Sequence, residues 1–106
     1  MKVKSPQHYE ARAAIAKALG HPTRMLLLDV LNRREMCVGD LTDLAQVDQS
    51  TVSRHLAVLK AVGIVEDEKR GSMVYYRLRL KCVLRFFDCV ESVMKCNAEN
   101  QQRLLS

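Results

Sequence analysis

The periodicity of the apolar residues changes at Gly63, and this change restricts the fold more than any other feature of the chain. Before Gly63, apolar side chains recur at the spacing of amphipathic helices. After it come Ile64-Val65 and Met73–Leu78, which are mostly β-branched, aromatic or aliphatic and flank the turn sequence Arg70-Gly71-Ser72, so they predict a β-hairpin. Helical spacing returns from about Lys81. The fold class that follows is mainly α with a small β-hairpin.

Four helices are predicted before the hairpin. The first covers about Tyr9 to Leu19, and the second ends near Asn32-Arg33-Arg34. The segment Met36-Cys37-Val38 is extended in character, and a brief third helix follows it. Asp48 is a favourable N-cap for the fourth helix, which ends at Gly63. The third and fourth helices are thus joined by a short polar connection.

The last helix, from about Lys81, has more apolar surface than a small domain can readily cover. Its apolar stripe consists of Val83, Leu84, Phe86, Phe87, Val90, Val93 and Met94. A second copy of the chain would cover this stripe, so we expect a homodimer. The polar tail from Asn97 to Ser106 is expected to fray. Because no linker or repeat interrupts the chain, one domain is expected over residues 1–106.

Two short helices followed by a hairpin with a basic tip are typical of a winged helix-turn-helix domain. The polar face of the fourth helix presents Gln49, Ser50, Ser53 and Arg54. These side-chain types hydrogen-bond to base edges and phosphates. Lys69 and Arg70 at the hairpin tip would reach the flanking DNA backbone or minor groove.

The net charge of +5 is concentrated in one segment. Between Gln49 and Lys81 there are seven basic and three acidic residues, whereas the flanking segments are close to neutral. Such a local surplus indicates a surface for a polyanion, and it is also what a solvated face rich in lysine and arginine would have. With the polar helix face beside it, we interpret the segment as a surface for double-stranded DNA.

Three short motifs carry a resemblance to a known family. They are His21-Pro22-x-Arg24, Gln49-Ser50-Thr51-Val52-Ser53-x-His55-Leu56 and Val74-Tyr75-Tyr76-Arg77-Leu78. Together with the sequence around them, over about Ala13 to Leu80, they resemble the ArsR/SmtB family of bacterial metal- and metalloid-responsive repressors. The resemblance implies a homodimer paired through its first and last helices. It also implies binding to an inverted-repeat operator and release from it when an inducer binds.

The resemblance divides the chain into a DNA-reading part, about residues 40–79, and dimerisation helices at about residues 8–20 and 81–97. The residues that it places at DNA contacts are Gln49, Ser50, Thr51, Ser53, Arg54, His55, Lys69 and Arg70. We interpret His55 as a polar contact at the DNA face, and His8 and His21 as structural or solvated residues.

Cys37 lies where the arsenic-responsive members of this family have the first cysteine of the motif E-L-C-V-C-D-L. The corresponding residues here are Glu35-Met36-Cys37-Val38-Gly39-Asp40-Leu41, so a glycine replaces the second cysteine. Any site that uses Cys37 must therefore take its other ligands from elsewhere.

Cys82, Cys89 and Cys96 are spaced seven residues apart and would lie on one stripe of the last helix. Each step is about 10.5 Å along a helix, so no two of them can share an ion within one helix. If two copies of the helix cross antiparallel, Cys82 would face the partner's Cys96, and Cys89 would face its own mate. By the resemblance, Leu80 and Val93 occupy two ligand positions of the zinc-responsive members, which argues against a zinc site.

Thiolates without neighbouring histidine or carboxylate ligands favour soft ions. We expect As(III) or Sb(III) as the inducer, with Cd(II) or Hg(II) as alternatives and no organic cofactor. The candidate ligands are Cys37, Cys82, Cys89 and Cys96. Two other interpretations stay open. In the first, Cys37 and Cys89 form a pair that responds to oxidants or persulfides. In the second, the cysteines bind no ligand and serve only as small buried apolar residues.

Two further classes are disfavoured, a small thiol enzyme and an interaction module that does not bind DNA. The polar face of the fourth helix and the basic wing argue against such a module. A thiol enzyme is disfavoured because the chain has no Cys-x-x-Cys, no nucleophile with a nearby base and no phosphate-binding glycine loop.

The first twenty residues lack the character of a signal peptide, and no segment approaches membrane-spanning length. We therefore expect a cytoplasmic protein without a membrane partner, whose four cysteines remain thiols.

Overall fold

The computed structural model describes residues 1–105, which form five helices and three strands. The elements are, in order, α1 (Pro6–Leu19), α2 (Pro22–Arg33), β1 (Met36–Cys37), α3 (Val38–Ala45), α4 (Gln49–Ala61), β2 (Val65–Arg70), β3 (Met73–Leu78) and α5 (Val83–Leu105). The strands form one antiparallel sheet in the order β1-β3-β2. This mainly helical architecture confirms the predicted fold class, with α3 and α4 as the helix-turn-helix and the β2-β3 hairpin as the wing.

Capping residues in the sequence begin the first two helices. Both helices start with a proline, whose missing N–H costs nothing in the first turn. The Ser5 hydroxyl accepts a hydrogen bond from the His8 N–H at 3.2 Å, and His21 Nδ1 accepts one from the Thr23 N–H at 3.1 Å. These bonds satisfy amides that have no partner within their helix. His21 therefore has a structural role as the N-cap of α2.

A third strand joins the predicted hairpin. In β1, Met36 lies opposite Tyr76 and Cys37 lies opposite Tyr75. The sequence predicts extended backbone here, but two residues are too few to indicate which strand they pair with. Val38, predicted to be extended, is instead the first residue of α3. β1 consequently fixes the start of α3 to the wing.

The hydrophobic core lies between the end of α1, helices α2 to α4 and the sheet. Its largest fully buried side chains are Leu27, Leu28, Leu41, Leu56, Leu59, Val52 and Val65. They come from α2, α3, α4 and β2, so the burial that stabilises the domain also fixes the orientation of α4.

Helix α5 contributes no buried residue to this core. The chain has a radius of gyration of 16.7 Å, whereas a compact domain of this length has about 13 Å. The difference reflects a long helix that projects beyond the core with much of its apolar stripe exposed. No helix within residues 1–105 is long and apolar enough to cross a membrane.

The prediction that the tail frays is wrong for residues 97–105, where α5 continues to Leu105, and Ser106 lies outside the described residues. The segment includes Ala98, Glu99 and Arg103, which have high helix propensity, and it contains no glycine or proline. Polarity alone is therefore a poor signal for the end of a helix that has already begun.

The prediction that Cys82 lies on the same helix as Cys89 and Cys96 is also wrong. Cys82 belongs to a turn that precedes Val83, the first residue of α5. In this turn the Arg85 N–H donates to the Cys82 carbonyl at 3.1 Å, a three-residue spacing rather than the four-residue spacing of an α-helix. Only Cys89 and Cys96 therefore share the α5 stripe.

Candidate nucleic-acid interface

Helix α4 has one face in the core and one face in solvent. Val52, Leu56 and Leu59 are fully buried and anchor it against the rest of the domain. The opposite face exposes Gln49, Ser50, Ser53 and Arg54. Because α4 packs on α3 in a helix-turn-helix, this arrangement presents its N-terminal half outward, as in a helix that enters a major groove. We therefore call α4 the recognition helix.

Asp48 organises the start of the recognition helix. Its carboxylate accepts hydrogen bonds from the Thr51 hydroxyl and, at 2.9 Å, from the Ser50 hydroxyl. These bonds, that of Thr51 first, lower the pKa of Asp48. Asp48 occupies the predicted N-cap position, but its side chain binds hydroxyl groups and makes no capping bond to a backbone amide. Ser50 and Thr51 thus have defined orientations before any DNA binds.

Arg70 on the wing is held by two carboxylates. Its guanidinium pairs with Glu35 at 2.6 Å and with Glu68 at 2.9 Å, and it lies 4.7 Å from the centre of the Tyr75 ring. The hydrogen bond from Arg70 is the main cause of a lowered pKa at both Glu35 and Glu68. A phosphate that binds Arg70 must therefore compete with these carboxylates.

Lys69 differs from Arg70 in that it has no ion pair within residues 1–105. It is exposed near the end of β2, next to the tight turn at Gly71, where φ is +62° and glycine avoids the strain of other residues. The two predicted wing contacts are therefore unequal, because Lys69 is free to bind a phosphate and Arg70 is already paired.

His55 is half-buried and has a different environment from the other predicted contacts of α4, and its role at the DNA face stays a prediction. Its ring packs against His21, with 4.3 Å between ring centres, and its Nδ1 lies 3.1 Å from an Arg24 Nη atom. Burial is the main cause of a lowered pKa at His55, followed by the charges of His21, Arg24 and Arg54. The reason is helical geometry, which turns His55 towards α2.

The four cysteines are free thiols in two different environments. Cys37 is buried in strand β1 of the sheet, whereas Cys82, Cys89 and Cys96 are exposed. Within residues 1–105, no three His, Cys, Asp or Glu residues are close enough to hold a metal ion. Thiolate chemistry fits a soft ion, but no three sulfurs within residues 1–105 converge on one point.

Sequence reasoning missed two residues that organise this surface, Arg24 and Glu35. Arg24 belongs to the motif His21-Pro22-x-Arg24, yet its partner His55 is 31 residues away. Glu35 reaches Arg70 over 35 residues. A single sequence has no signal for pairs at such separations, so only the fold could bring them together.

The fold, the outward polar face of α4 and the wing define a winged helix-turn-helix DNA-binding protein. The sequence model described as "bacterial regulatory protein, arsR family" matches residues 21–67. The chain is 37% identical over 86 residues to an uncharacterized HTH-type transcriptional regulator of Methanocaldococcus jannaschii, covering 77% of this chain and 97% of that protein. The chain therefore belongs to the ArsR family and is a transcriptional repressor of the ArsR/SmtB type rather than an enzyme.

Two further relatives are relevant to the site. An arsenic resistance transcriptional regulator of Pseudomonas putida is 40% identical over 65 residues, which are 60% of this chain and 51% of that protein. A solution structure of a homodimeric winged helix-turn-helix DNA-binding domain from Mycobacterium bovis is similar with a TM-score of 0.76 and 29% identity. That similarity covers 94% of this chain and 95% of the other.

Proposed function

We propose that the protein is a homodimeric, cytoplasmic repressor that binds an inverted-repeat operator and is released by As(III) or Sb(III) bound to cysteine thiolates. The observation that carries the proposal is that one chain has two separate exposed surfaces. The first is the polar face of the recognition helix, and the second is α5, which has no fully buried residue and bears Cys89 and Cys96. One surface would read DNA, and the other would join two subunits and bind the inducer.

The exposed apolar side chains of α5 support a homodimer. Phe86, Val93 and Met94 are between 46% and 59% exposed in the single chain. Exposed apolar surface of this extent is typical of an interface. The Mycobacterium bovis domain of the same fold is homodimeric, which agrees with this interpretation. A dimer with two recognition helices would bind a DNA site of matching two-fold symmetry.

The position and chemistry of the cysteines support a soft inducer. Cys89 and Cys96 lie on the helix that would join the subunits, and Cys82 lies in the turn before it. As(III) binds thiolates, and three sulfurs of one chain do not converge, so its ligands would come from two subunits or after a movement of α5. The likeness to the arsenic resistance regulator of Pseudomonas putida favours this ion among soft ones.

Operator release tests the inducer. An operator duplex would first be selected from random double-stranded DNA by the wild-type protein, then labelled and followed by fluorescence anisotropy. We expect arsenite and antimonite to release it, and zinc to have no effect. Cadmium, peroxide and persulfide would be added in parallel. Release by zinc alone would contradict thiolate sensing, and release by peroxide or persulfide alone would support the redox interpretation instead.

Single Cys→Ser variants identify the ligands. Cys89 lies between the other two C-terminal cysteines along the chain, so Cys89→Ser should bind the operator normally and fail to respond to arsenite. We propose that at least one of Cys37, Cys82 and Cys96 shares the ion with it. If all four single variants release DNA at the arsenite concentration that releases the wild type, sensing through these thiolates is excluded.

A further inference from the structure

The guanidinium of Arg24 connects three helices. From α2, its Nε donates to the Ala18 carbonyl at 2.6 Å and one Nη donates to the Lys17 carbonyl at 3.3 Å. Its other Nη donates to His55 Nδ1 on the recognition helix at 3.1 Å. Arginine has only donors, so each of these bonds has a fixed direction. One side chain thus binds both the end of α1 and the middle of α4.

The contact with α1 suits the charge of Arg24. The last carbonyls of a helix have no partner within it and carry a partial negative charge, which a cation stabilises. Ala18 is buried and Lys17 O also accepts the Gly20 N–H at 3.1 Å, so this helix end is well ordered. Arg24 is therefore attached firmly on the α1 side.

The contact with α4 depends on the protonation state of His55. Because Arg24 donates to His55 Nδ1, this nitrogen must have a free lone pair, and the neutral ring carries its proton on Nε2. The His21 ring packs on the same histidine, and His21 itself is fixed by its bond to the Thr23 N–H. A protonated His55 has no acceptor nitrogen and could not keep the bond to Arg24.

We propose that Arg24 and His55 are positioning residues that fix the orientation of the recognition helix relative to α1, and thereby set the operator spacing that the dimer accepts. The inference rests on the proposed function, because it needs a dimer that involves α1. The α1 residues Tyr9 and Ile15 are exposed large apolar side chains, as such an interface requires. Consecutive half-sites on one face of DNA are about 34 Å apart, so a small rotation of α4 would misplace both recognition helices.

The same contact makes operator binding sensitive to acid. The charged and titratable groups that act on His55 are His21 before α2, Arg24 on α2 and Arg54 on α4, all of them basic. The pKa of His55 is below its ordinary value of about 6.5, so the contact is intact at neutral pH. The stabilisation it provides is fully present above that ordinary value and is lost as the pH falls through the lowered pKa of His55 in the folded protein.

Operator spacing is the first test. Wild-type protein, Arg24→Met and the control Arg33→Met would be titrated with the selected operator, with duplexes whose spacer is one base pair longer or shorter, and with a single half-site. Arg33 is an exposed arginine at the other end of the same helix. We expect Arg24→Met to lose about tenfold in affinity for the operator, to bind the half-site like wild type and to discriminate poorly between spacers. Arg33→Met should match the wild type.

Equal losses on the operator, the altered spacers and the half-site would overturn the proposal, and so would a retained spacing preference. Thermal unfolding followed by circular dichroism verifies that Arg24→Met is folded. If the wild type selects no inverted repeat or is monomeric, the proposed function fails, and the pH comparison below still tests the contact.

The pH profile is the second test and does not require Arg24→Met to fold. Asparagine at position 55 can accept the Arg24 hydrogen bond and does not titrate, so His55→Asn should remove the pH dependence. From about pH 7.5 down to the lowest pH at which circular dichroism shows both proteins folded, wild-type affinity for the selected site should fall relative to its affinity for random DNA, and that of His55→Asn should not. Identical profiles for the two proteins would overturn the role of His55.

Discussion

At the scale of single residues, neighbours on α4 have opposite environments. Leu56 is fully buried, whereas Arg54, two positions before it, is exposed. The sequence predicts this division correctly, because helical spacing alone separates the apolar from the polar face. It does not predict His55, which lies between them, because its environment is formed by His21 and Arg24 from a distant part of the chain.

Truncating Leu56 should destabilise the protein. Its side chain is fully buried in the core, so Leu56→Ala removes apolar contacts and leaves a cavity. We expect the free energy of unfolding to fall by about 2–5 kcal/mol, measured by urea denaturation. Ala57 is exposed on the same helix, and Ala57→Ser serves as a control that should change stability little. A Leu56→Ala variant as stable as the wild type would contradict the position of α4 in the core.

Replacing Arg54 should affect DNA binding and leave stability unchanged. Arg54 is exposed and bonds only to the Thr51 hydroxyl, at 3.3 Å, among the hydrogen bonds of residues 1–105. Arg54→Ala should therefore shift stability by less than about 0.5 kcal/mol. It should weaken operator binding by about 1–3 kcal/mol if the guanidinium contacts a base. Operator affinity unchanged in anisotropy titrations would remove Arg54 from the interface.

At the scale of the elements, the wing is an antiparallel ribbon with ion pairs across it. Arg77 of β3 pairs with two carboxylates of β2, Glu66 at 2.9 Å and Glu68 at 3.3 Å. Exposed pairs of this kind add little stability, but they fix the side chains of a ribbon that has few core residues. The sequence predicts the hairpin from its β-branched and aromatic residues, whereas the pairing of β1 with β3 depends on tertiary contacts. The carboxylates beside Arg70 could be seen only once the strands were in register.

The salt dependence of binding should separate Lys69 from Arg70. The plot of log affinity against log salt has a negative slope, and each lost phosphate contact reduces the steepness of that slope by about one unit. Lys69→Ala should give this decrease, since Lys69 has no carboxylate partner within residues 1–105. Arg70→Ala should give a smaller one, because Glu35 and Glu68 already compete for its guanidinium. The double variant should lower the slope by about one to two units. Lys95→Ala on α5 is the control, and equal slopes for all variants would place the wing outside the interface.

At the scale of the whole molecule, the chain consists of a packed winged domain and a long helix, α5, of which only the start packs on the core, through Val83 and Phe87. The extents of 56 × 42 × 21 Å describe a shape far from spherical. The sequence predicts the excess of apolar surface on the last helix, but not its full length, because the polar residues after Asn97 gave no packing signal. The winged domain has a core of its own, so it should fold whether or not α5 is paired.

Because the core lies outside most of α5, a substitution on α5 can test whether the protein dimerises without unfolding the winged domain. Val93 is 59% exposed on α5, so Val93→Glu places a charge on the surface that a second copy would bury, without disturbing the core. Sedimentation equilibrium at micromolar concentration should give a dimer for the wild type and a monomer for Val93→Glu. Ser92→Glu adds the same charge one residue earlier, at an exposed position on the polar side of α5, and should remain dimeric. The monomeric variant should also lose most operator affinity, because one recognition helix makes half of the contacts. A monomeric wild type, or a Val93→Glu variant that is still dimeric, would show that this face of α5 is not the interface.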